Sequence, residues 1–370
     1  MTPDAAAFAD AVRGRAAGWD LEGELPSDVR AAAGVAGLLG VGLPARYGGS
    51  GGTPHELGEV CASLGGVCSA LRGLVTVQGM VTAALLRWGS GEQRGRWLPE
   101  LARGARIAGF AATEQGAGSD LTGVKTRIDE DDDGSLTVRG AKKWVTFGQV
   151  ADVFLVLGRT GGRPACALVE ADRPGVELEP VEGQLGMRAA QIAHVRFDGV
   201  RVPLANQVAP PGFGLSHVAA TALDHGRFTA AWGCVGMADA CVRLAAAHVT
   251  RRTQRGVPLA EHQLVRSALA KAAVDAAAAR ALCARASRLR SDGDPEAPAA
   301  TMIAKYAAAR AAATVSRGTV QLLGSAGCER DSLAARFFRD AKVMEITEGA
   351  AEVAEMNIAA HVLRGSGANP

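Results

Sequence analysis

Thr113-Glu-Gln-Gly-Ala-Gly-Ser-Asp120 marks the point where the chain changes texture. Gly116 and Gly118 allow a backbone to approach a flat or phosphorylated ligand closely, and Thr113 and Ser119 offer it hydroxyls. Alone, the stretch reads equally well as a plain turn. Upstream, residues 1–109 are rich in Ala and Leu at helical spacing. Pro26-Ser27-Asp28 is a helix start and Gly40–Pro44 a stop; Val60–Leu74 reads as helix again, and Pro99 breaks a helix over Gln93–Leu101. Downstream, residues 110–208 hold short β-branched or apolar runs bounded by Gly and Pro: Leu136–Gly140, Lys143–Thr146, Val153–Leu157, Ala165–Glu170 and His194–Asp198. They suggest a small β-barrel or sandwich. The acidic run Asp129–Asp133, closed by Gly134, reads as a solvated hairpin tip. From about 209 to 363 the helical spacing returns in Ala219–Ala247, Gln263–Leu289, Ala299–Leu323 and Leu333–Leu363. With Ser291–Pro298 as a loop, these lengths suit an antiparallel four-helix bundle.

Only 4% of the residues are aromatic, so the core must be built largely from Ala, Val and Leu, which favours closely packed helices over a large aromatic-rich sheet. The net charge of +2 gives no electrostatic reason to expect nucleic acid or an anionic membrane as a partner. Seven Cys with no CxxC spacing read as reduced, mostly buried thiols of a cytoplasmic protein, and no metal ligand set is expected. The N-terminus lacks the apolar core of a secretory signal, and no long uncharged apolar run suggests a membrane span.

Four further segments could carry chemistry. In Lys143-Trp-Val-Thr146, an indole and a hydroxyl on one strand face could cover a ring and bond its edge, or Trp144 could be structural. In Leu223-Asp-His-Gly-Arg227, Asp224 and Arg227 share a helix face, as a ligand pair or a surface ion pair. Gln321-Leu-Leu-Gly-Ser-Ala-Gly327 allows close ligand approach or is a helix cap. Arg339-Asp-Ala-Lys342 leads to Ile346-Thr-Glu-Gly349, where a carboxylate in apolar surroundings could be a desolvated base. Arg72 reads as a surface residue, although a cation there would suit an acidic acyl group.

In order and spacing, TEQGAGSD (113–120), KWVT (143–146), LDHGR (223–227), AEHQ (260–263), QLLGSAG (321–327) and TEG (347–349) resemble the acyl-CoA dehydrogenase family, over residues 20–364. The resemblance implies an α+β fold: an N-terminal α-helical domain (1–109), a middle β-barrel domain (110–208) and a C-terminal four-helix bundle (209–370). It implies FAD as cofactor, contacted by Thr113, Gly118, Ser119, Trp144, Val145, Thr146, His262, Gln263, Ala350 and Glu352. Arg252 and Gln254 would reach the FAD of a neighbouring subunit, with Gln321, Gly324 and Ser325 around its adenosine half. That shared site implies a homo-tetramer or homo-dimer. Ser119, Asp224, Arg227, Thr347 and Gly349 would lie at the substrate, and Glu348 would be the catalytic base.

The chain departs from the family pattern at Gln115 (usually Pro), Thr347 (usually aromatic), Ala350 (usually Thr) and Arg255 (usually Phe). Gln115 and Thr347 should lie near substrate or flavin, which puts the substrate's identity in question. The sequence looks most similar to the acyl-carrier-protein dehydrogenases of hydroxymalonyl and methoxymalonyl extender-unit pathways. These would take an acyl carrier protein thioester and need an electron acceptor for the reduced flavin. Alternatives are a short- or branched-chain dehydrogenase acting on acyl-CoA, a flavin monooxygenase of the same fold, and a non-catalytic relative that binds nucleic acid.

Overall fold

The Ala- and Leu-rich first part of the chain folds as helices in the computed structural model, which describes residues 3–365. These are α1 (Ala5–Val12), α2 (Ala16–Glu22), α3 (Ser27–Val35), α4 (Pro54–Gly65), α5 (Ser69–Trp88) and α6 (Gly91–Ala102). Reciprocal side-chain caps start two of them, Thr53 with Glu56 for α4 and Ser90 with Gln93 for α6. The helix expected over Val60–Leu74 is instead two, parted at Gly66–Cys68. A methyl at Gly65 would lie 2.7 Å from Gly233 Cα, so main chain meets main chain here and only glycine fits. Pro99 does not break α6. Burial of Trp97, Leu98 and Leu101, about 1.5–3 kcal/mol each, outweighs the roughly 3 kcal/mol cost of an internal proline.

The middle of the chain is strands: β1 (Ala108–Ala111), β2 (Arg127–Glu130), β3 (Ser135–Val145), β4 (Val153–Thr160), β5 (Arg163–Glu170), β6 (Val176–Pro180), β7 (Ala193–Pro203) and β8 (Gln207–Val208). They form one mixed sheet in the order β6-β7-β3-β2-β4-β5-β8, with β1 parallel to β4. The ladder narrows to the single pair Arg127–Arg159 between β2 and β4. The acidic run is the tip of the β2–β3 hairpin, as expected. Register shifts bend β3 at Val138–Gly140 and again at Lys142–Val145.

Helices return with α7 (Ala220–Arg251), entered through a π-helical turn at Gly214–Ala219. The hairpin β9 (Thr253–Gln254) and β10 (Val257–Pro258) leads to α8 (Gln263–Ser291), α9 (Ala297–Leu323), α10 (Leu333–Ile346) and α11 (Ala351–Gly365). The segment expected as one helix over Leu333–Leu363 is therefore interrupted after Ile346. α7 packs against α4, α5, α8 and α9, so one continuous core joins the first helices to the bundle through Leu64, Trp232, Phe337 and Met344. α5 and the Gly214–Arg251 helical run have the length and hydropathy of a membrane span, but 89% and 67% of their apolar windows are buried inside the protein. Packing in the core accounts for their composition. Six cysteines are buried and unpaired, and Cys328 is exposed.

Candidate active site

Glu348 stands in the break between α10 and α11. It has φ 57° and Gly349 has φ 101°. A left-handed Glu costs of order 1–2 kcal/mol, so its surroundings must hold it. Two cations do so. Arg227 Nε donates to the Glu348 carbonyl at 3.0 Å, and Lys305 Nζ donates to the Gly349 carbonyl at 2.7 Å. Lys305 is 3% exposed, and burial lowers its pKa.

The Glu348 side chain points inward from this clamp. The residue as a whole is half-buried, but Oε2 is fully enclosed and has no hydrogen-bond partner among the described residues. It lies against Gly226 of α7, and a methyl there would sit 2.7 Å from Glu348 Cδ and 3.0 Å from Met80 Sδ. Burial raises the carboxyl pKa; Arg227, Lys305 and Arg72 pull it back without cancelling the rise. A carboxylate with a free lone pair and raised basicity in a dry setting is equipped to take a proton from a weak carbon acid.

A second surface lies on the strand domain. The bulge at the end of β3 gives Trp144 φ 59° and leaves the residue 55% exposed. The Trp144 main-chain N–H donates to His194 Nδ1 at 3.2 Å, and the two rings meet edge to face. Val145 turns into the core, and Thr146 follows the strand's end, half-buried, rather than sharing a strand face with Trp144. Lys143 N–H donates to the Thr113 carbonyl at 2.8 Å, which ties the glycine turn to this strand end. Gly116, Gly118 and Ser119 are exposed, while Glu114 anchors the turn beneath them. Its carboxylate accepts from Lys142 Nζ (2.7 Å), Thr126 Oγ1 (2.6 Å), Thr126 N (2.9 Å) and Lys125 N (2.7 Å). An exposed indole beside an exposed glycine turn fits a planar ring system carrying a phosphorylated tail.

Other expected residues lie apart. Arg252 and Gln254 are exposed at the β9–β10 hairpin, about 37 Å along α7 from Arg227 at helical rise. His262 precedes α8 with a buried Nε2 that has no hydrogen-bond partner among the described residues, and Gln263 opens that helix. Gln321 and Ser325 are exposed at the end of α9, where Gly324 is the cap with φ 62°. Ala350 precedes α11, and Glu352 lies in its first turn.

Family models match the chain in three consecutive pieces: acyl-CoA dehydrogenase N-terminal domain (residues 4–105), middle domain (109–200) and C-terminal domain (214–363). The chain belongs to the acyl-CoA dehydrogenase family. Members are FAD-dependent oxidoreductases acting on CH–CH bonds, and FAD is this chain's cofactor. The chain is 32% identical to mouse (Mus musculus) mitochondrial short-chain specific acyl-CoA dehydrogenase, over 90% of this chain and 81% of that one. Among solved structures, FkbI for biosynthesis of the methoxymalonyl extender unit of the Fk520 polyketide is 39% identical, with TM-score 0.91, covering 97% of this chain and 99% of that one. Glutaryl-CoA dehydrogenase from Mycobacterium smegmatis in complex with FADH2 is 28% identical, with TM-score 0.92, covering 97% and 93%.

Within this acyl-CoA dehydrogenase, two readings of the sequence are corrected. Asp224 and Arg227 do not pair with each other. Asp224 binds Arg290 of α8 at 2.6 Å while Arg227 turns to the Glu348 carbonyl. Three residues leave the two side chains about 60° apart around the helix, enough to reach different neighbours. Arg72 is not on the surface but 3% exposed, because α5 is enclosed on every side. Lys305 and Gly226 went unread. The only signal was a lone Lys in the apolar stretch Met302–Ala309 and a Gly inside a helical pattern, and neither shows its partner.

Proposed function

We propose that this acyl-CoA dehydrogenase uses Glu348 as the base that removes the α-proton of an acyl thioester. The unpartnered, enclosed Oε2 with raised basicity is the observation that carries the reading. Arg227 and Lys305 fix the main chain on either side of it, so the carboxylate meets the substrate in one orientation. Trp144, Val145, Thr146, Thr113, Gly118 and Ser119 would hold the flavin, and Ala350, just before α11, and Glu352, in its first turn, would approach it. His262, Gln263, Gln321, Gly324 and Ser325 would serve its adenosine half, with Arg252 and Gln254 serving a neighbouring subunit in a homo-tetramer or homo-dimer. FAD, when bound, supplies the acceptor for the hydride lost from the β-carbon. Thr347 and Gly349, on either side of the base in the chain, would lie at the substrate.

For the substrate we infer a carrier-protein-bound three-carbon group, oxidised toward hydroxymalonyl-carrier protein for a polyketide extender unit. Support comes from the 39% identity to FkbI along nearly the whole of both chains. The chemistry balances for a 2-hydroxy-3-oxopropionyl thioester whose aldehyde is hydrated. Loss of the α-proton to Glu348 together with the β-hydride, for which FAD would be the acceptor, would leave the enol of a carboxylic acid, which tautomerises to hydroxymalonyl. The protein would then act in the cytoplasm, where its buried thiols stay reduced, and pass electrons to a separate acceptor.

A short-chain dehydrogenase acting on acyl-CoA is the second reading, favoured by the 32% identity to the mouse enzyme. The test is anaerobic bleaching of the flavin's visible band. Bleaching by the carrier-bound three-carbon thioester and not by butyryl-CoA supports the extender-unit reading; rapid bleaching by butyryl-CoA replaces it with the second. Glu348→Gln should slow bleaching by several orders of magnitude with FAD still bound, and near-normal bleaching would remove Glu348 from its role.

A further inference from the structure

α5 and α7 pass each other antiparallel, and three contacts fix their register. A methyl at Gly233 would lie 2.7 Å from Arg72 Nε, one at Gly226 would lie 3.0 Å from Met80 Sδ, and Trp88 Nε1 donates to Thr221 Oγ1 at 2.8 Å. Glu348 stands at the middle contact, against Gly226. Toward Gly233 the helix pair runs into the core, where Arg72 and Trp232 are buried. Toward Trp88 it runs out to the surface, so a long substrate arm reaches the base from that end.

That outer end carries an aromatic cluster. Trp88 meets His217 edge to face at 4.8 Å and Phe213 at 6.3 Å, and Phe213 lies 4.4 Å from His217. Phe213 is 40% exposed, and the main chain on both sides of it is pinned. Gly212 N–H donates to the Pro164 carbonyl at 2.7 Å, and a methyl at Gly214 would lie 2.5 Å from Ala165 N, so the π-helical turn sits directly on β5. Such turns recur at functional sites. Cations border the cluster. Arg87 lies over the Trp88 ring at 5.3 Å, Arg94 Nη1 donates to the Leu86 carbonyl at 3.4 Å, and Arg163 precedes Pro164. None of the three forms an ion pair among the described residues, whereas Arg96, Arg106 and Arg173 each hold a carboxylate. Segments 69–91 and 202–223, which build the cluster, contain no Asp or Glu. Glu92, exposed at the start of α6, is the nearest carboxylate in sequence. An exposed aromatic centre among unpaired arginines suits an acidic macromolecular partner.

We propose that Phe213, Trp88 and His217, with Arg87 and Arg163, form the docking surface for a small acidic carrier protein that delivers the thioester. This rests on the reading of the substrate as carrier-bound. Residues 213–226 span about 20 Å at helical rise, the reach of an extended phosphopantetheine arm. A carrier seated on Phe213 therefore places its thioester at Glu348 without entering the protein itself. The arm alone passes this surface, and a folded partner covers it.

The test uses the FAD-loaded enzyme and a free-standing, phosphopantetheinylated acyl carrier protein of net negative charge. Its dissociation constant is read by calorimetry. Anaerobic flavin bleaching is then followed with the same three-carbon acyl group on the carrier protein, on coenzyme A and on pantetheine. Carrier binding should weaken by about tenfold between about 0.05 and 0.5 M salt. Arg87→Glu combined with Arg163→Glu should weaken it by at least about tenfold and raise KM for the carrier-bound thioester, with kcat and the pantetheine thioester unaffected. Phe213→Ser should weaken it comparably while leaving the salt dependence in place. Carrier affinity unchanged in both variants overturns the proposal. So does an equal loss with the pantetheine thioester, which would place these residues in the arm's path. A loss confined to the coenzyme A thioester overturns it too, assigning the surface to nucleotide phosphates. If no thioester bleaches the flavin on any of the three supports, the substrate reading fails, while carrier affinity and its loss in the variants still decide the docking surface.

Discussion

Gly226 on α7 lies directly against the Glu348 carboxylate, 122 residues away in the chain but separated by less than the width of a methyl group. Any side chain at 226 would meet Glu348 Cδ at 2.7 Å and Met80 Sδ at 3.0 Å. Gly226→Ala should therefore displace the carboxylate while adding helix propensity to α7. A shift of about 1 Å costs on the order of a hundredfold in rate at a reacting centre. Stopped-flow flavin reduction should show that loss with FAD content unchanged; a rate within a few fold of the parent would mean that the carboxylate does not react from this position.

Lys305 lowers the Glu348 pKa and fixes the Gly349 carbonyl. The base acts deprotonated, so flavin reduction should rise with pH through the raised Glu348 pKa and level off above it. Lys305→Met removes a charge that favours the carboxylate, and the rising limb should move to higher pH. Lys305→Arg should move it back. An unmoved limb in Lys305→Met would confine Lys305 to a structural part.

Burial alone would raise the Glu114 pKa, but Lys142, Thr126 and the Lys125 N–H hold it at about 2, below its ordinary 4.5. A depressed carboxylate contributes stability that is full above the unfolded value and lost as pH falls from about 4.5 toward 2. Glu114→Gln strands Lys142, which is 0% exposed, and should cost about 3–5 kcal/mol in urea unfolding at pH 7. The gap between parent and variant should close in acid. A constant gap across that range would show that the pair's charge is not what stabilises the turn.

Trp144 is exposed in the chain, so Trp144→Ala should change the stability of the FAD-free protein by no more than about 0.5 kcal/mol. FAD retention should fall by about tenfold on dilution and gel filtration, because the stacking surface is gone. Unchanged retention would remove Trp144 from the flavin's surroundings.

Much of the architecture was readable because the hydrophobic period changes twice along the chain, at the glycine turn after Ala111 and again before Ala220. What went unread depended on partners distant in sequence. Pro99 survives inside α6 because of what Trp97 and Leu101 bury, and Arg72 is enclosed because α5 is surrounded. Asp224 and Arg227 diverge because Arg290 and the Glu348 carbonyl compete for them. At the candidate site the sequence marked the carboxylate itself but not Gly226 or Lys305, which make room for it and hold its main chain.

The enclosed thiols have a practical consequence. Burial pushes Cys61, Cys166 and Cys241 up to about 12 and Cys234 to about 11, and also raises Cys68 and Cys283. The nucleophilic thiolate is thus withheld at six positions, while Cys328 is exposed just beyond Ser325. Maleimide chemistry should attach one fluorophore at one place in the unaltered chain. That dye would report on the end of α9, the segment we propose for the adenosine half of FAD, without a single substitution.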